Sequence, residues 1–171
     1  MTASAATPPP EGPRDRAQRQ RDALAKLRQR HVDVWVASAS VGSDGAAGEP
    51  YLVPLSLAWV EERVVVALPA DSRTARNITT SGRARLGLGP TRDVVVVDVR
   101  HERTVAVTDP EAADIGEGYA AQADWDPRDA GPGYAFLVLR PERVQAWREA
   151  DELPGRTLMR HGRWLEPEAP G

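Results

Sequence analysis

Only two residues, Glu61-Glu62, separate Tyr51–Val60 (YLVPLSLAWV) from Arg63–Leu68 (RVVVAL). Both flanking segments are rich in β-branched and apolar residues, and so short a link permits a hairpin but no crossover. The same logic extends along the chain. Val32–Val41 (VDVWVASASV) alternates, with Val32, Val34 and Val36 on one face, and a Gly/Ala/Ser/Asp turn region at Gly42 to Gly48 leads into Tyr51. Arg83–Leu88 and Asp93–Val107 supply two more strands, the second long enough to bend around a barrel. Tyr134–Arg140 and Val144–Trp147 close the set, with Pro141 marking a bend or bulge between them. About six strands, without the strand–helix alternation of doubly wound sheets, predict a mainly β fold. The expected architecture is a six-stranded antiparallel barrel with short peripheral helices.

A helical pattern runs from Arg14 to His31, where Ala17, Leu24 and Leu27 form a narrow apolar stripe among Arg and Gln. Its basic residues, interspersed with Asp15 and Asp22, read as the solvated face of a lid helix. A further helix is expected over Pro110 to Ala123, with Pro at its start and acids in its first turn. Residues 1–13, rich in Ala, Thr and Pro, are expected to be a disordered N-terminal arm, residues 14–165 the folded domain, and residues 166–171 a tail. The net charge of -3 gives no basic balance of the kind that marks a nucleic-acid partner. The chain has no cysteine, hence neither disulfides nor thiolate chemistry, which fits a cytoplasmic setting. Neither a membrane-length apolar run nor a signal pattern is present, so no membrane association is expected.

The chemistry concentrates in ALPADSRTARN, Ala67 to Asn77. A strand ends at Leu68, Pro69 breaks it, and Asp71 or Ser72 can cap a helix running to about Ser81. Arg73 and Arg76 then fall near the positive end of the helix dipole, where cations are disfavoured by a few tenths of a kcal/mol or more. Two arginines, the hydroxyls of Ser72 and Thr74, and free backbone N–H groups suit one bound anion, above all a phosphate monoester. The alternative is a solvated helix start with both guanidinium groups in water.

This stretch, followed by RARLGLG and preceded by PYLVPLSLAWV, resembles the flavin-binding split-barrel superfamily, the pyridoxamine 5'-phosphate oxidase-like proteins. The resemblance spans roughly Ala23 to Trp164. It implies a split β-barrel, FMN as cofactor, and a homodimer whose second subunit covers the open face of the flavin ring. Carried over by position, Ser72, Arg73 and Thr74 would hold the cofactor phosphate. Val53, Pro54, Leu55 and Ser56 would line the ring, and Arg76 and Asn77 match the helix positions that follow. Members closest to the true oxidase have Lys where this chain has Thr74. The C-terminal RVQAWREADELPGRTLMRHGRWL, although it contains His161 and several arginines, does not align to the oxidase segment that grips pyridoxamine phosphate. The resemblance therefore implies an FMN-dependent oxidoreductase acting on a small organic substrate of unspecified identity, with the flavin carrying the hydride transfer. Two alternatives stand beside it: a deazaflavin-dependent reductase, with Arg83 and Arg85 in a groove for that coenzyme's acidic tail, and a non-catalytic flavin carrier or sensor.

Other motifs carry less. Gly87-Leu88-Gly89 lacks the third glycine and following helix of a dinucleotide fingerprint. His31, His101 and His161 lack metal-ligand spacing, although haem-handling relatives of the barrel exist in which a lone histidine could ligate iron. Asp124-Trp125-Asp126 with Asp129 reads as an exposed turn. Trp35, Trp59 and Trp147 lie in strands and are expected in the core, while Trp125 and Trp164 are candidates to cover a planar ring.

Overall fold

The burial pattern of the first strand, β1 (Val32–Ser38), is strictly alternating, with Val32, Val34, Val36 and Ser38 turned inward. That is the signature of a sheet with one face on a core. The structure, a computed structural model, describes residues 12–166, so the expected arm over 1–11 and the tail over 167–171 lie outside it. β2 (Tyr51–Val60), β3 (Arg63–Pro69), β4 (Arg83–Leu88), β5 (Val94–Ala106), β6 (Tyr134–Trp147), β7 (Thr157–Arg160) and β8 (Arg163–Trp164) complete one antiparallel sheet in the order β3-β2-β1-β4-β5-β6-β7-β8. Pairing of β3 with β6 closes the first six strands into a barrel, and β7 and β8 extend it as a flap.

The barrel interior holds Val34, Val36, Leu57, Val64, Val66, Leu86, Val97, Leu137 and Leu139. A second apolar cluster lies outside the wall, where Ile115 and Tyr119 of α3 (Ala113–Gln122) cover Ala58, Val65, Ala67, Phe136 and Val138. β3 is therefore buried on both faces, which explains its unbroken VVVAL run. A 3-10 turn at Pro110–Ala112 leads into α3, and α2 (Arg73–Ser81) sends Ala75 and Ile78 into the main core.

Several expectations need correction. The two C-terminal strand segments are one strand, β6, which pairs with β3 over Tyr134–Leu139 and with β7 over Arg143–Gln145. The change of partner occurs at a bulge, where Asp98 faces Arg143 and Val99 faces Pro141, so that Glu142 is the extra residue. Proline is tolerated there because a bulge does not demand its missing N–H. The lid helix, α1 (Arg16–Arg28), seats Ala23 and Leu27 in the core, whereas Ala17 and Leu24 of the expected stripe are only partly buried. Its basic face is also not wholly solvated. Arg14 and Arg19 are buried because Glu152 meets them: the Arg14 guanidinium donates to both Glu152 carboxylate oxygens at 2.7 and 2.9 Å, and Arg19 donates to the Glu152 carbonyl at 3.0 Å. Trp35 is 56 % exposed on the outer wall, since odd-numbered residues of β1 face outward. Trp125 packs edge-on to Tyr119 and Tyr134 in the second cluster, and Trp164 packs on the main core; both are engaged within their own chain.

Candidate functional site

Pro69 ends β3, and the Ser72 N–H donates to its carbonyl at 3.0 Å, forming the tight turn that opens α2. Ser72 is the N-cap, its Oγ accepting from the Ala75 N–H at 3.2 Å. Gly82 closes the helix at φ 70°, the left-handed conformation that glycine adopts without penalty. The first turn contains no acidic residue, so the chain supplies no carboxylate of its own to the N–H groups there.

The predicted residues of this helix divide into three groups. Arg73 lies 4.5 Å from the Tyr51 ring centroid and 4.0 Å from the Glu49 carboxylate, stacked at the start of β2 and half exposed. Arg76 turns back to donate to the Asp71 carbonyl and is engaged within its own turn. Thr74 and Asn77 are both buried. Asn77 donates to Ser38 Oγ at 3.3 Å, whereas the Thr74 hydroxyl has no hydrogen-bond partner among the described residues. The register pairs Ser38 with Tyr51, so the partners of Asn77 and Arg73 sit side by side at the β1–β2 edge.

The pleat of β2 separates the predicted ring-lining residues. Val53 and Leu55 pack against the core, while Pro54 and Leu52 are exposed on the outer wall and Ser56 alternates with them. The Ser56 carbonyl accepts from the Tyr119 hydroxyl at 3.3 Å, and burial pushes that phenol up to about 12. Pro54 stands opposite Trp35, and Trp35 opposite Gly87, giving an outer apolar strip that runs across β2, β1 and β4.

Beside this strip the wall becomes basic. Arg83, Arg100 and Arg140 stand opposite one another across β4, β5 and β6. The neighbouring row runs Arg85, Asp98, Arg143, Arg160 and Arg163. Asp98 accepts from Arg85 at 2.6 Å and from Arg143 at 2.7 Å. Partial burial works to raise its carboxyl, but the two guanidinium groups outweigh it and hold the acid below its ordinary value. Sequence reasoning found Arg83 and Arg85 but missed Tyr51, Glu49, Ser38 and the rest of the arginine rows. Only cross-strand register brings those together.

No family model matches the chain. Among curated proteins it is 30% identical to a ribosomal protein L11 methyltransferase of Burkholderia cenocepacia, over 87% of this chain and 54% of that protein. It is 29% identical to the protein of the same name from Burkholderia lata, again over 54% of its length. The chain thus spans about half the length of the curated relatives it matches. Solved structures share the fold. An F420 reductase superposes at a TM-score of 0.51 with 18% identity, covering 70% of this chain and 94% of that one. A pyridoxamine 5'-phosphate oxidase-related, FMN-binding protein from Nostoc punctiforme superposes at 0.54 with 14% identity, covering 91% and 93%. The fold is the split β-barrel that these structures share. A haem-binding protein from Mycobacterium smegmatis shares this split barrel at a TM-score of 0.60 and 15% identity, covering 92% of this chain and 60% of that one. Within the split barrel, no helix among the described residues is long and apolar enough to cross a membrane.

Proposed function

We propose that the protein is a cytoplasmic, homodimeric FMN-dependent oxidoreductase, related to the pyridoxamine 5'-phosphate oxidase-like proteins and acting on a small organic substrate. The observation that carries this reading is the opening of α2. Thr74, a buried residue whose hydroxyl has no partner among the described residues and stays open to solvent, stands beside the free first-turn N–H groups of a helix that has no acid there. This donor set fits a phosphate monoester. Ser72, Arg73 and Thr74 would hold that phosphate, with Arg73 swinging from Glu49 while keeping its seat on Tyr51. Asn77, bonded to Ser38, fixes the helix against β1, and Arg76 steadies the Asp71 turn. The β2 backbone at Val53–Ser56 would run along the ring, with Pro54 outward beside Trp35. When bound, the flavin supplies the hydride transfer. The protein contributes position, exclusion of water and a second copy to cover the outer strip.

A deazaflavin-dependent reductase is the second reading, favoured by the arginine rows. Like charges directly opposite across strands are destabilising, so the Arg83–Arg100–Arg140 row is better explained if an acidic tail lies across it. Arg83 follows the C-terminal end of α2 directly after Gly82, so the row begins at the far end of the helix whose N-terminus is the proposed phosphate site. The likeness to the methyltransferases spans only about half of a longer protein, whereas the split-barrel likeness spans 91% of this chain and 93% of the Nostoc protein.

Absorbance of the purified protein separates the readings. A bound flavin band supports FMN, and a colourless protein that quenches added deazaflavin fluorescence supports the second. A bound flavin that no nicotinamide donor reduces leaves the carrier or sensor. Arg73→Ala is expected to weaken FMN binding by about 1.5–3 kcal/mol, the value of a hydrogen bond to a charged group. Unchanged affinity would move the phosphate away from α2.

A further inference from the structure

At the opposite end of β2 and β3 from α2 lies a cavity of about 360 Å³, whose lining includes Trp59, Glu62, Met159, Arg163 and Trp164. The volume falls in the range of small-molecule sites. The FMN site proposed above does not use it, since no residue assigned to the phosphate or the ring lines it, and of the arginine row assigned to an acidic tail only Arg140 reaches it.

Its walls differ in chemistry. Two indoles, Trp59 and Trp164, and the Met159 thioether form the apolar part of a wall that is otherwise polar. The Trp59 indole N–H is buried and has no hydrogen-bond partner among the described residues, a deficit that folded proteins seldom leave uncorrected. The charged groups are largely neutralised in pairs: Arg63 donates to Glu102 at 2.6 Å, and Arg140 lies 2.8 Å from Glu142. Arg163 alone of the three arginines has no carboxylate partner among the described residues. The Glu62 carboxylate at the rim disfavours a multiply charged anion. What remains is one free guanidinium, one orphan N–H and aromatic walls.

The backbone at the rim supports a ligand role. The hairpin link Glu61-Glu62 has both residues in the left-handed region, at φ 48° and 60°, where Asn-Gly is the usual choice. Two non-glycine residues there cost about 1–2 kcal/mol each, a strain that tends to be kept at functional sites.

We propose that this cavity is a second ligand site, for a flat aromatic monocarboxylate. The ring lies against Trp59, Trp164 and Met159, the carboxylate pairs with Arg163, and the Trp59 N–H donates to an acceptor on the ligand.

Calorimetric titration of the full chain with 2-naphthoate, and with neutral 2-naphthamide as its uncharged match, tests this. Naphthoate is expected to bind at least tenfold more tightly than the amide. Arg163→Ala, at an exposed position where folding is not at risk, is expected to remove that preference. Trp59→Phe removes the indole N–H and narrows the aromatic wall, and is expected to weaken naphthoate severalfold. Arg73→Ala and saturating FMN are expected to leave naphthoate binding unchanged, so failure of the cofactor reading does not touch this one. Absence of naphthoate binding up to millimolar concentration, equal affinity for acid and amide, or unchanged affinity in Arg163→Ala would overturn the proposal.

Discussion

Thr74 is where the site's chemistry is most exposed to a single change. Its side chain is buried, yet its hydroxyl makes no hydrogen bond among the described residues, so the hydroxyl contributes little to folding. Replacement by valine, which keeps the shape, is therefore expected to leave thermal stability within about 0.5 kcal/mol of the parent, or to raise it slightly. If the hydroxyl serves the cofactor phosphate, the same change should weaken FMN by about 1.5–3 kcal/mol, read by fluorescence titration of free flavin. A stability loss without an affinity loss would assign Thr74 to the core. The cap itself was legible in the sequence because capping is local: Ser72, three residues before Ala75, announces its own hydrogen bond. Tyr51 and Glu49 were not, because what brings them to Arg73 is the turn of the chain between β2 and α2. The orientation of Arg76 was misleading for a related reason. Sequence places both arginines at the same dipole end, but one of them satisfies a carbonyl of its own turn.

Elements follow the same division. β2 and β4 run over the residues that their alternation and turn signals mark, Tyr51–Val60 and Arg83–Leu88. β7 and β8 carried no usable signal at four and two residues, since strands this short hold their place by pairing, β7 with β6 and β8 with β7, and not by pattern. β6 read as two strands because Pro141 breaks the apparent run, whereas the bulge at Glu142 carries the strand through it. The β2–β3 hairpin allows a direct test of its strain. Replacing Glu61-Glu62 with Asn-Gly supplies the residues that this left-handed pair prefers, and is expected to stabilise the protein by about 1–2 kcal/mol in chemical denaturation. No gain would mean that the carboxylates compensate for their own backbone. The connection after β4 gives the converse. Gly89 sits at φ 85°, and a Cβ there would lie 2.6 Å from the Asp93 carbonyl oxygen. Gly89→Ala should therefore destabilise by more than the roughly 1 kcal/mol of the left-handed conformation alone, measured the same way.

At the scale of the whole molecule, one buried ionic cluster ties the chain's first described residues to the segment that follows β6. Arg14, almost wholly buried, meets Glu152 through its side chain and its backbone N–H, reaches Asp22 at 2.8 Å and Asp93 at 3.2 Å, and Lys26 adds a second bond to Asp93 at 2.6 Å. The Arg148 N–H also donates to Glu152, at 2.8 Å. Neither Arg14 nor Glu152 announces this in the sequence, where they are 138 residues apart and read as surface charges. The hydrogen bonds from Arg14 hold the Glu152 carboxyl at about 2, against an ordinary value of 4.5. The folded state thus binds fewer protons than the unfolded chain between those values. Stability contributed by Glu152 is complete above about pH 4.5 and is lost as pH falls through that window towards about 2. Glu152→Gln removes the bidentate partner of the buried Arg14 guanidinium and leaves it Asp22 and Asp93, so the loss is expected to reach at most the value of about 3–5 kcal/mol for a buried pair broken outright. That ceiling corresponds to a fall in melting temperature on the order of 6–20 °C for a domain of this size. The variant should also lose part of the acid sensitivity, because the group that titrates is gone. Denaturation midpoints for both proteins at pH 7 and pH 4 decide the matter: a parent that weakens on acidification more than Glu152→Gln does supports the clamp, and equal slopes would place the acid-sensitive carboxylate elsewhere.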